Sequence, residues 1–156
     1  MNLQAQLAAW GTLLLAGMMR QEDYLQGLHG LFLAEPENEM LQRLENCTAN
    51  PKETIALLLS ALDPDDSAQK PAYARMIFEP LEMDYRRADL SIGAFARLAE
   101  ALWRAIPRVI ADEEPFVLLS TAADWLDPDA GCEAAARECY ERALRFHSKE
   151  DAHERL

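Results

Sequence analysis

A chain of 156 residues is long enough for one domain with a real core, since roughly two-thirds of the unfolded surface of such a chain leaves water on folding. Half the residues are hydrophobic and 27% are charged, a globular composition that argues against intrinsic disorder. Fifteen Lys and Arg against 27 Asp and Glu give a net charge of -12, which disfavours direct binding to nucleic-acid phosphates or to anionic membranes.

The N-terminal stretch Leu3 to Met19 is apolar, and its spacing sets the first element. Leu3, Leu7, Trp10, Leu14 and Met18 fall on one helical face and predict a helix over 2–19, with Gly11 and Gly17 weakening it or letting a neighbour approach. No Lys or Arg precedes Arg20, so the positive region of a signal peptide is missing, and Gln4, Gln6 and Thr12 interrupt what would otherwise approach a membrane span. The expectation is a cytoplasmic protein without a targeting segment. Tyr24, Leu28, Leu31 and Phe32 mark a second helix, and Pro36 is expected to open a short third one through Met40, Leu41 and Leu44.

Asn50-Pro51-Lys52-Glu53 is the sharpest local signal. The asparagine caps, the proline fits the first helical position, and Glu53 suits a capping box. Ile55, Leu58, Leu59 and Leu62 then share a face before the breaker Asp63-Pro64-Asp65-Asp66-Ser67. Six prolines (Pro36, Pro51, Pro64, Pro80, Pro115 and Pro128) follow Asp, Glu or Asn. That pairing predicts helix starts near Pro36, Pro51, Pro115, Pro128 and Pro80. Residues 71–90 fit two periods. Leu81, Met83 and Tyr85 alternate as in a strand, yet a lone strand would leave its backbone unpaired, so helix is the better assignment.

Ser91 to Ile106 is the cleanest amphipathic run, with Ile92, Phe95, Leu98, Ala99, Leu102, Trp103 and Ile106 on one face. Ser91 is its cap and Pro107 its stop, and the other helices are expected to gather around it. Residues 107–111 make a short turn of helix. A strongly apolar helix follows through Phe116, Leu119, Ala122, Ala123 and Leu126 to Asp127. An alanine-rich one runs from Pro128 to about His147, and the charged residues 148–156 read as a fraying tail. The chain is therefore expected to be all-α, one domain over 1–147 built from about six to eight short helices.

Catalytic and metal chemistry find little support. Glu150-Asp-Ala-His153 has the Glu-x-x-His spacing of carboxylate-bridged metal bundles but no second copy. Cys47, Cys132 and Cys139 are an odd set without a close pair, which reads as core residues in a reducing compartment. No glycine-rich or cationic context activates them toward His29 or His147, and Ser120 lacks the glycines of a nucleophile elbow. No phosphate loop, dinucleotide fingerprint or zinc spacing occurs. No catalytic residue, metal or cofactor is assigned.

Asp84-Tyr85-Arg86-Arg87 with Asp89, beside Met83, is the densest polar cluster next to large apolar residues. Met83, Tyr85, Arg86 and Arg87 are the candidate partner-binding residues, because Tyr and Arg combine area with directional hydrogen bonds. Ala136-x3-Tyr140-x2-Ala143 resembles the second helix of a tetratricopeptide repeat, although the pattern of that repeat's first helix is absent from Ser120 to Asp127. Leu81-x-x-Asp84-Tyr85-x-Arg87 is similar to the L-x-x-E-Y-x-R-L-F stretch of TorD-like redox-enzyme chaperones, with Ala88-Asp89 where Leu-Phe would follow. That resemblance implies a helical chaperone acting on a partner polypeptide. The expectation carried forward is a non-catalytic interaction module (chaperone, adaptor or regulatory subunit) that binds another protein or peptide through an apolar helical face. The alternatives are an acidic mimic of nucleic acid that inhibits a basic protein, or a small ligand-binding or enzymatic helical domain.

Overall fold

The structure, a computed structural model, describes residues 2–154 apart from 88, 128 and 130, with side chains as far as 145. Among these residues the chain is all-α, without strands. Its helices are α1 (Leu3–Leu15), α2 (Gln21–Ala34), α3 (Glu39–Asn46), α4 (Pro51–Leu59), α5 (Gln69–Tyr85), α6 (Ile92–Ala105), α7 (Arg108–Ala111), α8 (Val117–Trp125) and α9 (Glu133–Glu154). Eight of the helices among the described residues are seven residues or longer, as expected, and the single turn α7 falls on the short turn of helix expected over 107–111.

Local chemistry explains most of the boundaries. Asn2, Asn38, Asn50 and Ser91 each accept a backbone N–H three residues on, at 3.0–3.2 Å, and so satisfy one of the free amides at a helix start. Asn50-Pro51 works as predicted, with Pro51 opening α4. Pro36 does not open α3. Asn38 supplies the cap two residues later, and the Pro36 carbonyl accepts the Gln42 side chain instead. Pro115 likewise sits in the turn before α8, and Pro80 lies inside α5, where it removes one N–H from the ladder. Pro128 falls outside the described residues, and α9 begins only at Glu133, after Gly131 with φ +55°.

The first helix stops at Leu15 rather than continuing to residue 19. Gly17 takes φ 76°, its N–H reaches the Leu14 carbonyl, and the Met18 N–H reaches Leu13, which together close the helix with a Schellman motif. Residues 71–90 resolve in favour of helix as far as Tyr85, with Ala74, Ile77, Phe78 and Leu81 buried at three- and four-residue steps. The last helix runs past His147 to Glu154. The assignment of 148–156 as a fraying tail concerns side chains that lie outside the described residues.

The centre of the bundle is not α6. The periodicity of α6 is as clean as predicted, burying Phe95, Ala99 and Leu102 against α8, α1 and α5. Clean amphipathicity, however, belongs to a helix with one wet face, whereas a helix apolar on all sides is the one that goes inside. Here the helix nearest to that is α1, apolar on several sides although Gln4 stays exposed. Ala5, Ala8, Ala9 and Leu13 enter the main core with α5, α6, α8 and α9, while Leu7 enters a smaller core with Tyr24, Leu28, Leu41, Leu44 and Leu58 of α2, α3 and α4. Gly11 brings α4 close, since a Cβ there would stand 2.9 Å from that of Leu58. The Thr12 and Tyr73 hydroxyls, 2.6 Å apart and fully buried, join α1 to α5.

Tyr85 ends α5 over an aromatic cluster. Its ring meets Phe95 edge-on at 4.9 Å, and Phe95 meets Tyr140 at 4.8 Å, so α5, α6 and α9 are fixed against one another at this point. This packing places Tyr85 and Arg86, two of the four candidates, on the flank of α9.

Candidate functional site

The predicted residues divide between two sides of α5. Tyr85 and Arg86 face α9 and, with Glu82, form one wall of an open cleft of about 280 Å³. Glu141, Leu144 and Arg145 of α9 form the other wall. Met83 lies on the same turn but points away from the cleft, 68% exposed, and Arg87 is turned to its own neighbours. The Arg87 guanidinium pairs with Asp84 at 3.7 Å and with Asp89 at 3.0 Å. That double pairing raises the basicity of Arg87 and holds the Asp89 carboxyl below the usual range, the Arg87 hydrogen bond being the main cause.

Within the cleft, charge and hydrogen bonding alternate across the gap. Arg86 pairs with Glu82 one turn back at 2.6 Å. The Tyr85 hydroxyl donates to Glu141 Oε1 across the cleft at 3.1 Å. Burial raises the Tyr85 pKa, with Arg137 opposing through a hydrogen bond and Glu141 reinforcing. Arg137 also holds Glu133 at 3.0 Å. Leu144, buried, supplies an apolar wall. The arrangement offers a guanidinium, a phenol edge and an aliphatic surface within one small depression, which suits recognition of a side chain. Small-molecule sites usually begin near about 300 Å³ and enclose most of the ligand.

The α9 residues of the cleft escape sequence reading. Glu141 and Arg145 stand four apart, like any solvent-facing ion pair on a helix, and nothing in their spacing joins Glu141 to Tyr85, 56 positions away. Only the aromatic contacts beneath bring them together.

A second depression, of about 530 Å³, lies between α3 and α4 and is lined by Arg43, Asn46, Cys47, Glu53, Leu57 and Ser60, among others. Cys47 is held there by its own surroundings. Its Sγ reaches the Leu44 carbonyl at 3.6 Å and the Thr54 hydroxyl at 3.5 Å, and Thr54 in turn donates to the Cys47 carbonyl at 2.8 Å. His29 pairs with Glu45 at 3.9 Å, and among the described residues no hydrogen bond joins a cysteine to a histidine. All three cysteines are free thiols, and burial raises the pKa of Cys139. The Glu150–His153 pair and His147 have side chains outside the described residues. Among those described, no three His, Cys, Asp or Glu side chains converge as metal ligands would.

No described helix is long and apolar enough to cross a membrane. Large apolar side chains more than a third exposed are spread over five helices: Leu15, Leu25, Leu33, Met83, Val109 and Trp125. Comparison of the chain with protein families, with characterised proteins and with solved structures found no match in any of the three. Neither motif resemblance therefore extends to a family. Ala136, Tyr140 and Ala143 are all fully buried, so the repeat-like pattern marks the core-facing stripe of α9. Leu81 is likewise core, and Asp84 and Arg87 pair with each other.

Proposed function

We propose that the protein is a non-catalytic interaction module, of the chaperone, adaptor or regulatory-subunit kind, that binds a partner polypeptide at the cleft between α5 and α9. The observation that carries this reading is the cleft itself, where Tyr85, Leu144 and two guanidinium groups border one depression with Met83 exposed on the same turn of α5. Tyr and Arg around an apolar wall are what partner surfaces favour, because they present large contact area and directional hydrogen bonds together. Three unpaired thiols in an odd-numbered set suit a reducing compartment, which supports a cytoplasmic location.

Co-purification of the tagged protein from its own cells, at low and high salt, tests the reading when run beside Arg86→Glu and Arg145→Glu, both at residues that line the cleft. The expected result is a partner that survives high salt with the parent protein and is lost with either variant, both variants retaining the parent's helical circular dichroism. An identical set of partners for all three proteins would exclude the cleft as the docking surface.

A further inference from the structure

We propose that α2 and α3 form a lid over an apolar face shared by α1 and α4, and that this lid opens as one unit while the main bundle stays folded. The chain order permits such a motion. α1 and α4 pack directly on each other, with Gly11 against Leu58, and the α2–α3 hairpin is inserted between the end of one and the start of the other. It can therefore detach without parting its two neighbours. The chain enters the hairpin through Gly17, at φ 76°, and leaves it through the turn in which the Asn50 N–H donates to the Cys47 carbonyl at 3.0 Å.

What holds the hairpin down is apolar contact. Tyr24, Leu28, Leu41 and Leu44 meet Leu7 and Leu58 in the smaller core, and no residue of α2 or α3 enters the main one. The Trp10 ring of α1 stands between the layers, edge-on to Tyr24 at 5.9 Å and against Gly27, where a Cβ would lie 2.8 Å from it. Among the described residues, no hydrogen bond or ion pair runs from residues 21–46 to a helix outside the hairpin. The tie between Thr54 and Cys47 lies at the hinge itself. The main bundle, by contrast, is cross-linked through Thr12–Tyr73, Lys70–Glu113, Tyr85–Glu141 and Arg142–Glu114.

The closed hairpin also carries a cost that opening relieves. The Tyr24 hydroxyl and Glu45 Oε1 are buried without a hydrogen-bond partner, His29 standing 3.9 Å from that carboxylate oxygen. Both atoms give up hydration on closing and recover it on opening. The depression of about 530 Å³ between α3 and α4 leaves that flank of the hairpin unpacked. A segment fixed by so few contacts opens at a lower free energy than the whole protein. Opening uncovers Leu7, Trp10 and Leu14 of α1 with Leu58 of α4, an apolar strip that the closed state hides.

Native-state hydrogen exchange of the full-length protein, in steps of urea below its unfolding transition, tests the lid. α2 and α3, of 14 and 8 residues, are too short to stay helical once detached, so opening removes their amide protection. Their interior amides should exchange through one common opening, with a urea slope smaller than the global one. After correction for intrinsic rates they should exchange about a hundredfold faster than those of α5 and α8. Phe95→Leu weakens the main core equally in the closed and the lid-open states. It should accelerate the α5 and α8 amides about tenfold and leave those of α2 and α3 unchanged. Tyr24→Phe removes the stranded hydroxyl and should slow exchange in α2 and α3 about fivefold. One shared free energy and slope for all four helices would overturn the inference. So would acceleration of α2 and α3 by Phe95→Leu, no slowing of them by Tyr24→Phe, or amides there that exchange one by one without urea dependence, as frayed ends do.

Discussion

Replacing Thr12 by Val removes one of the two hydroxyls that join α1 to α5 inside the main core. The Thr12 and Tyr73 oxygens are 2.6 Å apart and both residues are fully buried. Thr12→Val therefore strands the Tyr73 hydroxyl away from water, at a cost of about 1–3 kcal/mol. The opposite change, Tyr73→Phe, is milder, because a helical threonine can return its hydroxyl to the carbonyl one turn back, and about 1 kcal/mol is expected. With both changes made, no polar group is left stranded. The double variant should be less destabilised than the sum of the single ones, with a coupling of about 1 kcal/mol or more. Urea titrations at neutral pH, followed by circular dichroism, measure all four proteins at a common slope. In thermal scans each kcal/mol corresponds to about 2–4 °C for a chain of this size. Strictly additive losses would refute the idea that these hydroxyls satisfy each other.

Four further outcomes follow from the packing. Asn50→Ala removes the acceptor of the Glu53 N–H and should lower stability by about 1 kcal/mol in the same titration. Gly11→Ala forces α1 and α4 apart at Leu58, so a loss of about 1–3 kcal/mol is expected, and a neutral result would contradict the close approach. Phe95→Ala empties the contact between Tyr85 and Tyr140 and should cost about 3–5 kcal/mol by urea midpoint, the largest effect of this set. Burial pushes the Tyr140 phenol up to about 12 and raises Tyr24, Tyr73 and Tyr85 as well. Folded phenols keep protons that the unfolded chain releases near about pH 10, so this stabilisation is complete below about pH 10 and is lost as the pH rises through the folded values. Tyrosinate absorbance and helical circular dichroism should then change together in alkali; tyrosinate appearing well before the helices melt would refute it.

The cleft was half legible in the sequence. Tyr85 and Arg86 could be picked out because large and charged groups crowd one turn of α5, and both do face α9. Met83 and Arg87 belong to the same cluster in sequence but to other faces of the helix, a division that follows from 100° per residue once the buried face is known. The strand-like alternation of Leu81, Met83 and Tyr85 gave no way to choose that face in advance. Glu141 and Arg145 could not be assigned at all, since an ion-pair spacing on a helix looks the same whether the pair forms or a distant tyrosine takes one partner away.

Helix class, most helix starts and the buried stripe of each amphipathic element were written locally, because capping residues and three- and four-residue periodicity act over a single turn or two. Ser91, Asn50 and Gly17 set their boundaries without help from the rest of the chain. The prolines after an acid mislead wherever another residue makes a better cap or the helix carries through, as at Pro36 and Pro80. What only the tertiary structure decided is which helix sits in the middle and which surface residues meet. An amphipathic pattern states that a helix has an inside without stating whose inside it is, and α1, apolar on several sides, is claimed by two cores at once. The hydrogen bond between Tyr85 and Glu141 arises in the same way, because Phe95 and Tyr140 hold Tyr85 against α9.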